Sequence, residues 1–460
     1  MNDHATKNSA LIIATLMSFL SPFLISAVNI ALPAIQKEFS VNAVLLSWVA
    51  TSYILAAAVT LLPAGKIADI YGRKKIYVWG VLLFTGSTFI SAFVQSVHML
   101  IFFRVIQGIG GAMVSTTGMA IITSVFPLKE RGKAIGINVA AVYLGLSSGP
   151  FIGGLLTQHL GWRSIFIVST PLGLVSVLLV FLFLKGEWAD AKGETFDMRG
   201  SFIYCISLVV LMHGISNLPD TIAVGSVILG FLGFVCFVWN EIKIENPIFE
   251  VRLFKNNRVF TFSCLAALIN YAATFAVTFL LSLYLQYIKG FSPQTAGLIL
   301  MAQPIMQALF SPFAGRLSDR IEPGIIASFG MGLTVLGLFA LIFIGYDSTP
   351  AFIAGILILL GLGFALFSSP NMNAIMSSVE KQYYGIAAGS VATMRTVGMT
   401  ISMAIATLIF ASNLGKAEIT PHVHPEFIKS VRLSFIVFTV LCLAGVYFSA
   451  ARGKLWLKKK

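Results

Sequence analysis

Long apolar runs separated by short charged stretches dominate the chain. A helix crossing a bilayer needs about 20 consecutive, mostly apolar residues, because an unpaired backbone amide in hydrocarbon costs several kcal/mol. Fourteen runs meet that demand: residues 11–33, 44–64, 76–95, 99–126, 134–157, 163–184, 200–217, 222–240, 259–284, 294–315, 324–345, 350–370, 386–411 and 432–451. The pattern predicts an all-α polytopic membrane protein of 14 transmembrane helices. An even count puts both termini on one side. The first run is too long for a signal-peptide core and is expected to stay as a helix.

Composition changes the picture only in scale: with 57% hydrophobic residues and a mean hydropathy of +0.90, the 460 residues read as one bilayer-embedded unit. The net charge of +13 resolves into a topology signal once the cations are sorted by loop. With the N-terminus inside, 23 of the 31 Lys and Arg fall on the cytoplasmic side, six fall outside, and two, Arg104 and Arg395, lie within runs. This predicts a multi-pass plasma-membrane protein with cytoplasmic termini and no nucleic-acid partner. The four cysteines sit in runs at unrelated spacings, which points away from a disulfide frame or a metal cluster. His422 and His424, in the one long external loop, read as solvated; no metal or other cofactor is expected.

An internal repeat organises the runs. GKIADIYGRKK begins at Gly65 and GRLSDRIEPG at Gly315, an offset of 250 residues, and the first and ninth runs begin about 249 apart. Two pseudo-symmetric six-helix bundles are predicted, residues 1–184 and 259–460 with its basic tail, around an inserted helix pair with flanking loops at 185–258. Transporters are commonly built from such halves, with a solute site between them and alternating access by rocking.

The loop itself carries chemistry. Gly65 and Gly72 permit a tight turn, Asp69 can cap a helix end and pair with Arg73, and Lys74 extends the cation cluster. Such a loop can latch one helix pair against its neighbours. The second copy keeps Gly315 and Asp319. The cluster resembles the signature loop of the major facilitator superfamily, which is taken to gate the cytoplasmic face. The resemblance extends along the chain. RVIQGIGGA matches the superfamily's fourth-span pattern through Arg104, Gln107, Gly108 and Gly110. GLSSGPFIGG matches its antiporter motif through Gly145, Gly149, Pro150, Gly153 and Gly154. WVATSY (Trp48, Tyr53), NIALP (Asn29, Pro33) and GWRSIF (Trp162, Arg163) are similar to the fourteen-span drug:proton antiporter branch.

One departure bears on mechanism. That branch usually carries an acid five positions before the Asn of NxALP, and here the place is Leu24. All 18 Asp and Glu can be assigned to loops or helix ends, so no run holds a carboxylate to carry a proton or attract a cation. The expectation is a chamber with fixed positive charge, from Arg104 and Arg395, and no fixed negative charge. Its candidate liners are Asn29, Trp48, Tyr53, Gln107, Asn138, Tyr143, Asn270, Tyr271, Gln303, Gln307, Asn371 and Asn373. His213 could titrate, but lies in the inserted pair. No phosphate loop occurs, and the runs offer no convergent acid, base or metal groups, so the reading is a transporter and not an enzyme.

The resemblance implies proton-driven efflux of drugs or metabolites, with protons and a small organic solute as partners and a monomer as the working unit. Efflux of this kind is the leading expectation; the missing acid keeps one alternative beside it, uptake or facilitated exchange of a neutral or anionic nutrient such as a flavin-like vitamin.

Overall fold

The computed structural model describes residues 3–453 except Lys185, Pro219, Lys381, Gln382 and Lys416. The side chains of residues 3–6, 128, 129, 131–133 and 256 also lie outside the description. The charge assignments made for Lys129, Arg131, Lys133, Lys185, Lys381, Lys416 and the tail lysines 454 and 458–460 therefore fall outside the described residues.

Every regular element described is helical. In chain order they are α1 (Asp3–Phe39), α2 (Ala43–Tyr71), α3 (Arg73–Ser91), α4 (Val97–Val125), α5 (Leu128–Leu160), α6 (Arg163–Phe183), α7 (Met198–Asn217), α8 (Thr221–Lys243), α9 (Val251–Asn256), α10 (Arg258–Thr274), α11 (Ala276–Tyr287), α12 (Pro293–Leu300), α13 (Ala302–Ser318), α14 (Pro323–Leu341), α15 (Pro350–Ser377), α16 (Tyr384–Leu414) and α17 (His424–Ala451). Among the described residues, thirteen helical segments are long and apolar enough to cross a membrane. α3 is a well-formed helix of 19 residues that is not among them, and its first turn carries Arg73, Lys74 and Lys75. Polar caps start several segments where the chain turns: Asn42, Ser96, Asn257, Ser292 and Thr349 each accept a backbone N–H three residues on, worth about 1 kcal/mol apiece.

α1 packs on α5 and α6, α2 on α4, and α3 on α4 and α6; α10 packs on α15, α16 and α17, α13 on α15, and α14 on α15 and α17. Small residues set the closest crossings. Gly145 and Gly149 press α5 onto the backbone of α1 at Phe19 and Phe23, where any Cβ would collide. α7 and α8 pair with each other, and α7 also touches α2 and α16. α7 thus stands against both α2 and α16.

Two sequence expectations change. The helices outrun their apolar cores, so GKIADIY is the last part of α2 and only Gly72, at φ 119°, turns the chain. Gly65 and Gly315 lie inside α2 and α13 and make no turn. Glu38, Asp69 and Glu241 lie in the last turns of α1, α2 and α8, at helix ends as the sequence assignment has them. α16 runs to Leu414 and α17 starts at His424, so the long external loop expected around His422 and His424 is short, and His424 opens a helix.

Candidate functional site

Contacts between α1–α5 and α11–α16 concentrate at one end of the molecule. Ser47 Oγ meets Thr407 Oγ1 at 2.9 Å, Ser282 Oγ donates to Asn29 O at 2.8 Å, Gln286 Nε2 donates to Ile30 O at 2.9 Å, and Tyr287 donates to Gln36. Two glycines complete the seal: a Cβ at Gly154 would strike the backbone of Pro293, and one at Gly297 would strike that of Pro150. The predicted antiporter-motif glycines therefore divide. Gly145, Gly149 and Gly153 bind α5 to α1, while Gly154 and Pro150 bind α5 to α12.

From beneath this seal a cavity of about 890 Å³ runs toward the opposite end, where Gly315, Ser318 and Asp319 line it. That volume falls within the range of small-molecule sites. Of the predicted liners, Asn29, Tyr53, Asn138, Tyr143, Tyr271, Gln303, Gln307, Asn371, Asn373 and Arg395 face it. Aromatic surface comes from Phe275, Phe364 and Phe367; Phe364 stands edge-on to Tyr271 at 5.3 Å. Arg395, half-buried on α16, lies beside the Tyr271 hydroxyl, with Ser368 and Tyr143 around the same ring. Because Tyr143 is on α5 and the others are on α10, α15 and α16, this polar cluster spans the cavity.

Four predicted liners sit elsewhere. Arg104 is 1% exposed and buried behind Tyr53. Its Nε donates to Val49 O at 3.1 Å, a second nitrogen donates to Gln107, and its guanidinium stacks over the Tyr53 ring at 4.5 Å. Gln107 in turn donates to Thr88 Oγ1 at 2.6 Å. An intramembrane cation needs such a cage, and this one ties α2, α3 and α4 together instead of lining the cavity. Trp48 is half-buried at the edge of the apolar cluster formed by α2, α7 and α8, away from the cavity lining. Asn270 is fully buried, with both side-chain polar atoms unpartnered. Leu24, too, is fully buried and away from the cavity.

The expected charge pattern also needs correction. Asp319 lines the mouth, where Asn373 Nδ2 approaches it at 3.3 Å. The chamber holds Arg395 deep and a carboxylate at its open end. Residue counting missed this because Asp319 caps α13 at its C-terminus and looks like a loop acid in sequence. Another contributor passed for a tail residue. Arg452, 1% exposed, donates to Asn371 Oδ1 at 2.8 Å and Ser263 Oγ at 3.1 Å, and so fixes the amide of a cavity-lining side chain.

The loop at Gly72 holds the expected Arg73–Asp69 pair and gains further partners. Arg73 pairs with Asp69 at 2.7 Å and donates to Ser124 Oγ at 2.8 Å, and its other partner is Asp190 of the α6–α7 linker, at 2.7 Å. Lys66 pairs with Glu194 at 2.6 Å, Lys74 N donates to Glu187 Oε1 at 2.8 Å, and Glu187 fills the space a Cβ at Gly72 would need. The acidic linker thus joins Asp69 of α2 and Ser124 of α4 in satisfying these donors. Asp69 pairs with the cation but caps no helix, since Gly72 precedes α3.

The family model described as Major Facilitator Superfamily matches residues 14–403 and 263–460. The chain is 31% identical over 439 residues, 95% of each chain, to the riboflavin transporter RibZ of Clostridioides difficile (strain 630). It is 32% identical over 401 residues, 86% of this chain and 74% of the relative, to the multidrug resistance protein Stp of Mycobacterium tuberculosis (strain CDC 1551 / Oshkosh). Among solved structures, a bacterial homologue of the human lysosomal transporter Spinster, in an inward-facing and unoccupied conformation, superposes with a TM-score of 0.72 at 15% identity, covering 99% of this chain and 98% of that one.

Proposed function

We propose that this chain, which belongs to the Major Facilitator Superfamily, moves a planar, neutral or anionic organic solute of the flavin class across the plasma membrane by alternating access. The family and its relatives make it a multi-pass membrane transporter and not an enzyme. The solute reading rests on one observation: the cavity carries aromatic rings and the Arg395–Tyr271 pair at depth, while its described carboxylate, Asp319, stands at the mouth. A buried guanidinium attracts an anion or an electron-rich edge and repels a cation, and ring edges add about 0.5–1.5 kcal/mol per aromatic contact. The relative named as a riboflavin transporter, matched along 95% of its length, supports the same class.

In this proposal residues 1–184 and 259–460 are the two rocking halves and 185–258 the inserted pair, fourteen spans in all, with cytoplasmic termini. The cavity then opens to the cytoplasm. Asn29, Gln303 and Gln307 offer amides to the solute's polar edge, and the Gly72 loop and Asp319 act at the gate. Proton-driven efflux is the second reading, favoured by the relative named as a multidrug resistance protein.

Purified protein in proteoliposomes, offered riboflavin, a neutral aromatic, an aromatic carboxylate and a permanent aromatic cation, with and without a pH gradient, tests both. Counterflow of riboflavin or the carboxylate and exclusion of the cation are expected. Movement of the cation alone would refute the solute class, and gradient-driven export of several solutes would replace it with the second reading.

A further inference from the structure

The inserted pair buries two carboxyl groups that transport through the cavity does not use. Glu241, near the end of α8, is 1% exposed, and Asp197, which caps α7, is 6% exposed. Most of their acceptor atoms are satisfied: Glu241 Oε2 accepts from Phe249 N at 2.8 Å, Asp197 Oδ1 from Gly200 N at 2.9 Å, and Asp197 Oδ2 from Asn240 Nδ2 at 2.9 Å. Glu241 Oε1 is buried without any partner. A Cβ at Gly200 would collide with both that oxygen and Asp197 Oδ2, so glycine keeps open the space in which they face each other.

Two ionised carboxylates cannot share such a site without a cation. The cations of the surrounding elements are engaged elsewhere. Lys66 of α2 pairs with Glu194, Lys243 of α8 lies over the Trp239 ring at 3.4 Å, and Arg252 of α9 donates to Ile242 O at 3.2 Å. Arg199 of α7 and Lys255 of α9 point to solvent, and Arg395 of α16 lines the cavity. The α8–α9 connector contributes only acids, Glu245 and Glu250.

We propose that Asp197 and Glu241 form a proton-binding site: one proton rides on Glu241 Oε1 and is donated to Asp197 Oδ2. Bound, it satisfies the orphaned oxygen and joins the start of α7 to the end of α8 and, through Phe249, to the connector leading into α9. Released, it leaves two facing anions that push α7 from α8. Asp197 also ends the acidic linker that holds the Gly72 loop, so the site senses pH where both linkers of the inserted pair meet. It is independent of the solute, because neither residue lines the cavity.

Infrared spectroscopy of the full-length protein in detergent, titrated from mildly acidic to mildly alkaline pH, tests this alongside thermal unfolding. The wild type is expected to show a protonated-carboxyl carbonyl band at neutral pH, and its unfolding temperature should fall as pH rises, because the folded chain holds a proton that the unfolded one releases. Glu241→Gln, whose amide N–H replaces the shared proton, should lose both the band and the slope. Asp197→Asn, which can donate to Glu241 Oε1, should do the same and serves if the first variant does not fold. Absence of the band in the wild type, its persistence in either variant, or an unchanged slope would overturn the site.

Discussion

Replacing Gly154 with alanine should unseal the closed end without weakening the helix bundle that carries it. In the described state the added methyl would strike the carbonyl of Pro293, which belongs to α12 on the other side of the seal. Backbone cannot rotate away as a side-chain tip can, so the overpacking cost is about 1–3 kcal/mol. If that contact separates when the cavity opens at this end, the cost falls on one state only. A differential of that size shifts the equilibrium by roughly 5- to 150-fold.

Gly153→Ala is the control. Its methyl would meet Ala27 Cβ at 2.6 Å, a contact within the α1–α5 pair, and should lower stability in both states alike. A cysteine at cavity-lining Ser369, in a background lacking Cys205, Cys236, Cys264 and Cys442, reports access to a membrane-impermeant thiol reagent from either side. Gly154→Ala should raise labelling from the sealed side, and Gly153→Ala should leave it unchanged. Equal effects of the two, or none from Gly154→Ala, would refute the assignment of α5–α12 as the seal.

Arg395→Gln should reduce transport of an anionic solute roughly 10- to 150-fold, a charge-assisted hydrogen bond being worth about 1.5–3 kcal/mol, while a neutral solute and the unfolding temperature change little; parallel uptake assays check it. Arg104→Met strands Gln107 Oε1 in the interior at about 1–3 kcal/mol, while Val49 O, inside α2, keeps its helical N–H partner. It should lower the unfolding temperature and leave solute preference intact, and a changed preference at unchanged stability would contradict the structural role. Asp190→Asn removes an ion pair whose acid is 71% exposed, so its stability effect should stay below about 1 kcal/mol. Gly72→Ala should cost more in the same unfolding experiment, because φ is 119° and Glu187 occupies the space of the new methyl.

How far the sequence could be read depended on the range of the interaction. Apolar run length located the helices well, since each span must satisfy its own backbone wherever it sits in the bilayer. The liners at Tyr271, Gln303 and Arg395 were legible because a polar side chain inside an apolar run has few tolerable places to go. The same logic failed for Arg104 and Asn270, which found or lacked partners on neighbouring helices that no spacing along one chain discloses. It failed in the opposite sense for Arg452, where a C-terminal cation turned out to clamp Asn371.

The linear pattern by itself determined that the chain is a helical membrane protein with a repeated sequence motif and few charges in its apolar runs, because hydrophobic length and charge placement act residue by residue. Tertiary structure alone decided which glycines press α5 against α12, that Asp190 of the acidic linker joins Asp69 on Arg73, and that Asp319 stands in the cavity's mouth. Those outcomes turn on atoms brought within about 3 Å from positions far apart in the chain, where hydrogen bonds and steric contact act but sequence patterns carry no record of distance.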